Sequence, residues 1–300
     1  MTKIELSAYP DVQTLLKRVK QIKHVALDMD GTIYKGSTLF PYTAPFLARL
    51  KTLGVGYSFL TNNPSKSTAD YLKHLEKMGL TATAGELYTS AQATINWLKM
   101  HLPDAKRLFI LGTPSMTGEF EKAGFVSVTD SAADAIDAVV VGFDMTLTYS
   151  RLCRAAWWIK CGKPYVATNP DWVCPTDQPT VLVDCGSICA ALEKATGRKP
   201  DVTLGKPQPE MLSGILHTHG LLPHEVAMAG DRVYTDMLMA HKAGAFGVLV
   251  LSGEATLADA QKADPQPDVT LQSIEQLGEL IDEAKNQYRQ TNELERTDTQ

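Results

Sequence analysis

The sequence predicts an α/β fold: a parallel sheet covered by helices on both faces, with a second α/β domain inserted into the first. Three observations predict it. Short continuous apolar runs, such as Val25-Ala26-Leu27 and Val248-Leu249-Val250, alternate with segments of helical period. That is the pattern of βαβ units whose strands are buried on both faces. The core runs end in polar clusters, where open α/β sheets bind ligands beyond the carboxyl ends of their strands. The middle of the chain carries enough strands and helices of its own to bury a separate core.

Taken in order, residues 11–21 read as a short amphipathic helix, and residues 24–30 as the first strand. Residues 41–53 are helical, with Phe46, Leu47, Leu50 and Leu53 at three- and four-residue spacing. Gly54 and Gly56 stop that helix. A second strand, 57–60, runs into Thr61-Asn62-Asn63-Pro64, and a helix follows to about Met78, with Gly79 as its stop. The middle block has strands at 108–111, 125–128, 138–141 and 165–167. Its helices lie near 90–101, near 115–123 and at 150–161, the last with Leu152, Ala156 and Ile159 on one face. The first theme then returns: a strand at 226–229 ending at Gly230-Asp231, a helix at 238–243 stopped by Gly244, and a strand at 247–251. We expect residues 1–88 and 189–286 to form one discontinuous core domain and 89–188 the inserted domain. The polar residues 287–300 are expected to be a flexible tail.

Composition narrows the class. The 300 residues suffice for one large or two medium domains. A net charge of −5 without a long basic run argues against a nucleic-acid partner. No apolar stretch approaches the roughly 20 residues that span a bilayer, and the N-terminus lacks a signal-peptide core, so a cytoplasmic protein is expected. The five cysteines, Cys153, Cys161, Cys174, Cys185 and Cys189, form no Cys-x-x-Cys pair and read as free, mostly buried thiols.

The chemistry starts at Asp28-Met29-Asp30-Gly31-Thr32. In a strand, residues two apart share a face, so Asp28 and Asp30 are expected to point the same way. Adjacent carboxylates repel unless compensated, and a divalent cation is the natural compensator. One carboxylate could attack while the other handles a proton. A calcium loop of the EF-hand kind would need further oxygen ligands where Ile33 and Tyr34 stand. Three more polar clusters accompany this one: Thr61-Asn62-Asn63, Gly205-Lys206-Pro207, and Gly230-Asp231-Arg232 with Asp236 beyond it. Each alone could be an ordinary cap or turn. Their joint occurrence, in this order on a parallel α/β pattern, argues for a site.

The set resembles the four motifs of the haloacid dehalogenase (HAD) superfamily: Asp28-x-Asp30-Gly31-Thr32, Thr61 after the second strand, Lys206 in Gly-Lys-Pro, and Asp231 with Asp236. The long stretch between Thr61 and Lys206 matches the position of a type II cap. More narrowly, the chain is similar to the NagD/4-nitrophenylphosphatase-like subfamily with a type IIA cap. The phrases that carry this are Asp28 through Gly36, Leu60-Thr61-Asn62-Asn63, Val141 through Tyr149, Ala167-Thr168-Asn169-Pro170-Asp171, Gly205 through Pro209, and Gly230 through Asp236. The resemblance covers about residues 22–280. It departs at Val183-Asp184-Cys185-Gly186-Ser187, where the family usually has a Pro-Gly-x-Gly-Ser turn.

The resemblance implies a Rossmann-like, three-layer α/β/α HAD core with an inserted cap, and a magnesium-dependent phosphatase of small phosphorylated metabolites. Asp28 would be the nucleophile and Asp30 the general acid and base. Magnesium would take the Asp28 carboxylate, the Asp30 carbonyl and the Asp231 carboxylate, with Asp236 behind them. Thr61 and the Asn62 amide would hold phosphate oxygens, and Lys206 would neutralise charge. Asn63, Asn169 and Asp171 are candidate specificity residues, as is Asp144. Of the adjacent Trp157 and Trp158, one is expected in the core. His217 and His219, two apart on a helix, do not suit a metal pair. A homodimer through the cap is implied. A phosphotransferase or mutase on the same fold is the rival enzyme. A non-catalytic phosphometabolite-binding protein would have lost residues of the set.

Overall fold

Alternation along buried strands explains how this chain builds its layers. The computed structural model describes residues 11–297 apart from 129, 130, 132, 133, 175 and 177. In chain order the elements are α1 (Val12–Val19), β1 (His24–Asp28), β2 (Tyr34–Lys35), β3 (Thr38–Leu39), α2 (Thr43–Thr52), β4 (Gly56–Thr61), α3 (Thr68–Lys77), β5 (Leu87–Thr89), α4 (Ser90–His101), β6 (Arg107–Leu111), α5 (Pro114–Lys122), β7 (Val126–Ser127), β8 (Ala138–Val141), α6 (Tyr149–Lys160) and β9 (Tyr165–Ala167). They continue with β10 (Val173–Cys174), β11 (Leu182–Val183), α7 (Cys185–Thr196), β12 (Val202–Thr203), α8 (Glu210–His219), β13 (Val226–Gly230), α9 (Leu238–Ala243), β14 (Phe246–Val250), α10 (Leu257–Lys262), β15 (Val269–Leu271) and α11 (Ile274–Thr297). The chain divides into two units, residues 1–59 with 215–300, and residues 60–214.

The first unit is built on a sheet in the order β15-β14-β13-β1-β4. β1, β13, β14 and β15 pair in parallel. Every residue of β1, β13 and β14 is buried, as strands covered on both faces require. The register sets Leu27 beside Ala229 and Gly230 beside Leu249. Asp28 and Asp231, each next along its strand, therefore leave the sheet at the same edge. Helix α11 buries Ile274, Leu277, Leu280, Ile281 and Ala284 and packs on α1 and α2. The α2 contact is close at Gly278, where a β-carbon would stand 3.0 Å from Phe46. Inside the unit, His24 bonds Ser58 at 2.9 Å and packs against His219 with the rings tilted, 4.5 Å between centroids. Burial, then the His219 charge, pushes His24 down to about 4. The side chains beyond Asn286 and residues 298–300 lie outside the described residues, and with them the expectation of a flexible tail.

In the second unit a parallel sheet runs β12-β9-β8-β6-β7. Successive strand residues point to opposite faces. Phe109, Leu111, Val139, Val141, Tyr165 and Ala167 pack on one side with Ala155 and Ile159 of α6 and Ile188 and Leu192 of α7. Leu108, Ile110, Ala138, Val140 and Val166 pack on the other with Ile95 and Leu98 of α4 and Met116 and Phe120 of α5. This sheet takes in β12, and α7 covers it, so both belong with the inserted elements read from the sequence. Trp158 is buried in this core, while Trp157 is exposed. All five cysteines are free, but against expectation only Cys185 and Cys189 are buried; Cys153 and Cys161 lie on exposed positions at and beyond α6 and Cys174 is half-buried.

One local expectation needs correction. The first strand ends at Asp28, not Asp30. Gly31, at φ +85°, turns the chain, its N–H bonding the Tyr34 carbonyl at 2.8 Å and the Ile33 N–H bonding that of Met29 at 2.9 Å. Asp28 is buried at the strand end and Asp30 is exposed in the turn, so the two-residue strand argument does not apply to the pair. Among the described residues no helix is long and apolar enough to cross a membrane.

Candidate active site

In the first unit, three carboxylates converge. Asp28 ends β1, Asp231 follows β13, and Asp236 lies in a π-helical turn, Val233–Met237. Such wide turns are rare and cluster at functional sites. Here the turn leads Asp236 inward to complete burial, where it accepts from the Arg232 N–H at 3.1 Å. Gly230 makes room: a β-carbon there would overlap the Asp236 side chain. One oxygen from each of Asp28, Asp231 and Asp236 lies within 4.8 Å of the others.

Electrostatics in this group are strained. Burial, then the charges of Asp28 and Asp236, push Asp231 up to about 7. Although Asp30 as a residue is exposed, desolvation of its carboxyl by the surrounding groups, then Asp28, raise it above the usual carboxylate range, against the pull of Arg232. For Arg232, burial opposes the charged form, but Asp28 foremost outweighs it and holds the guanidinium above its ordinary value. One Asp231 oxygen accepts from the Glu254 N–H at 2.7 Å. The other, Oδ1, is buried without a hydrogen-bond partner. A buried carboxylate oxygen left so is costly, and hard oxygen donors at this spacing fit a divalent cation such as magnesium or calcium. Gly31 and Gly253 cradle the Asp231 carboxylate, since a β-carbon at either would overlap it.

A different cluster forms in the second unit. The buried Asn62 pairs with the Lys206 backbone, its Oδ1 accepting from the Lys206 N–H at 2.6 Å and its Nδ2 donating to the Lys206 carbonyl at 3.0 Å. The same Nδ2 reaches Asp171 at 3.1 and 3.3 Å. Asn169, fully buried, donates to Asp171 at 3.3 Å and Asp184 at 3.0 Å and accepts from Thr168 Oγ1 at 2.8 Å. Gly205, at φ +77°, permits the approach: a β-carbon there would sit 3.0 Å from Asn169 and from Asn62 Oδ1. Thr61 Oγ1 accepts from the Asn63 N–H at 3.1 Å. The Asn63 side chain turns inward along its own loop, accepting from the Ser65 N–H at 2.9 Å and Ser65 Oγ at 2.6 Å.

These arrangements agree with what the chain is similar to. A family model described as haloacid dehalogenase-like hydrolase matches residues 25–126, and a HAD-hydrolase-like model matches 203–277. The ribonucleotide monophosphatase NagD of Escherichia coli is 31% identical over 256 residues, covering 85% of this chain and 98% of NagD. The chain belongs to the haloacid dehalogenase-like hydrolases. It is a NagD-like phosphatase of this family, a phosphoric monoester hydrolase. An acid sugar phosphatase of Staphylococcus aureus is 30% identical, covering 87% of this chain and 99% of its own. Among solved structures, a 4-nitrophenylphosphatase from Thermotoga maritima superposes with a TM-score of 0.82 at 38% identity, over 87% of this chain and 98% of that one. A glycerol phosphate phosphatase from Mycobacterium tuberculosis, in complex with magnesium, gives 0.79 at 31% identity, over 87% and 78%.

Sequence reasoning missed other polar residues of this NagD-like chain. Asp184 is buried and caps α7, accepting from the Cys185 N–H at 2.6 Å. Burial pushes it up to about 6. The acid directly before the helical run of Ile188 and Leu192 was its available signal. Glu254 had none. Asp144 is spent internally: it accepts from the Thr146 N–H at 2.8 Å and pairs with Arg151 at 2.7 Å, whose other nitrogen bonds the Ile110 and Gly112 carbonyls.

Proposed function

We propose that this NagD-like phosphatase hydrolyses small phosphomonoesters with magnesium, through a phosphoaspartate at Asp28. The observation that carries the reading is the buried convergence of Asp28, Asp231 and Asp236, with Asp231 Oδ1 lacking a partner. Magnesium would be held by Asp28, Asp231 and the Asp30 carbonyl, with Asp236 adjoining, and would supply charge neutralisation for the phosphoryl group. Asp28 attacks phosphorus, and its new P–O bond replaces the ester bond. Asp30, its proton affinity raised by desolvation and by Asp28, protonates the departing alkoxide and then draws a proton from the water that cleaves the acyl phosphate. Thr61 and the Asn62 amide bind phosphate oxygens, and Lys206 offsets their charge. The rest is positioning, which is most of what phosphoryl transfer asks of a protein.

The relatives' names support sugar phosphates, nucleoside monophosphates, glycerol phosphate and 4-nitrophenyl phosphate as the compounds to try. Asn169 and Asp171 are the candidate selectors, and the Asn63 side chain shapes its loop. The test is phosphate release from such a panel with magnesium, wild type against Asp28→Asn. Release that disappears in the variant supports the reading. Equal release from both overturns the assignment of the nucleophile.

A further inference from the structure

The loop after β14, Ser252-Gly253-Glu254-Ala255, carries no recognisable motif, yet it holds one end of the carboxylate cluster. Ser252 Oγ donates to the Gly31 carbonyl at 2.7 Å. The Ala255 N–H donates to the Asp231 carbonyl at 3.0 Å, and the Glu254 N–H to Asp231 Oδ2 at 2.7 Å. The backbone of this loop therefore fixes one Asp231 oxygen and leaves Oδ1 for something else.

The Glu254 side chain has a separate task. Its Oε1 accepts from Tyr234 OH at 2.8 Å, and its Oε2 stands 2.9 Å from Arg232 Nε. That second contact is an ion pair only, because the Nε–H makes no hydrogen bond. The Arg232 side chain is 25% exposed and Glu254 49%. Arg232 follows Asp231 in the chain and lies in the field of both Asp28 and Asp231. One guanidinium thus has two anionic destinations: Glu254 on the outer side, and the buried aspartates on the inner side. On the inner side it would cover the oxygens a divalent cation needs and add like charge beside that cation.

We propose that Glu254 is a positioning residue that keeps the Arg232 guanidinium off Asp28 and Asp231, so that their oxygens stay open to a divalent cation. The inference rests on the reading of these aspartates as the metal site. Removing Glu254 frees Arg232 to compete; removing both abolishes the competitor.

The experiment is calorimetric titration of the full-length chain with Mn2+, without substrate. Glu254→Ala is expected to weaken Mn2+ binding about tenfold, the equivalent of one modest charge interaction. Glu254→Gln, which keeps an acceptor for Tyr234 but removes the charge that pairs with Arg232, should weaken it about as much. Glu254→Ala combined with Arg232→Ala should bind at least as tightly as wild type. Wild-type affinity in Glu254→Ala overturns the proposal. So does a double variant as weak as Glu254→Ala, which would place the effect in the loop backbone instead of Arg232. Asp231→Asn separates the underlying reading: if it binds Mn2+ like wild type, or wild type binds none, the metal site fails and the inference with it.

Discussion

The two polar clusters of this phosphatase are built on opposite principles. In the first unit, Asp28, Asp231 and Asp236 bring like charges together in a buried space, and an Asp231 oxygen has no partner. In the second, Asn62, Lys206, Asn169, Asp171 and Asp184 meet donor to acceptor along a chain of hydrogen bonds. The first cluster costs the apo fold stability and holds a binding capacity in exchange; the second stabilises and orders its loops. Substitutions should therefore act with opposite signs on stability. Removing a charge from the first should relieve the fold and, on the proposed reading, end function, whereas removing a partner from the second should damage the fold directly.

The largest expected effect is at the proposed nucleophile. Asp28→Asn should lower phosphate release by at least about a thousandfold, while the urea midpoint of the metal-free protein stays level or rises. A falling midpoint would break the contrast. Next comes the ordered cluster: Asn62→Ala strips the Lys206 N–H and carbonyl of their partners and should cost about 2–4 kcal/mol in urea unfolding. A cost near zero would mean that water replaces the amide.

The pH dependence of stability sharpens the comparison further. Asp231 is raised from 3.8 to about 7 in the folded chain, so between those values the folded state binds more protons than the unfolded. The metal-free protein should lose stability as pH rises through that window and regain it as pH falls. Asp231→Asn should reduce this slope, leaving the like-signed part from Asp184, raised from 3.8 to about 6, and from Asp30. It would leave the opposite contribution of His24, lowered from 6.5 to about 4, which withdraws stability as pH falls between those values. Urea midpoints at several pH values, wild type against variant, check the sign. The smallest effect is expected at Asn63→Ala, which loses a loop turn and should cost about 1 kcal/mol, seen as a slightly lower melting temperature.

Much of this was legible residue by residue. The fully apolar strands β8 and β9 were read at their observed bounds because nothing but a buried strand fits so short a run between turn signals. Asp28, Asp231 and Lys206 stood at motif positions whose spacing needs no coordinates. Other features were hidden for physical reasons. Asp30 leaves the strand because Gly31 turns the chain, and a local pattern of alternation cannot see that turn. Asp236 is buried through a π-helical turn with no propensity signature. Asp144 looked available but is held by Arg151, whose other bonds reach a neighbouring strand and its loop.

By itself, then, the sequence determined the α/β architecture, the family, and which acids, amides and lysine carry the motifs, because strand burial and motif spacing are local properties of the chain. Only the tertiary structure decided which carboxylates converge, which side chains are already spent, and that Glu254 pairs with Arg232. Those outcomes depend on segments distant in sequence, such as β1, β13 and the loop after β14, whose register and close glycine packing set distances that no single stretch of residues encodes.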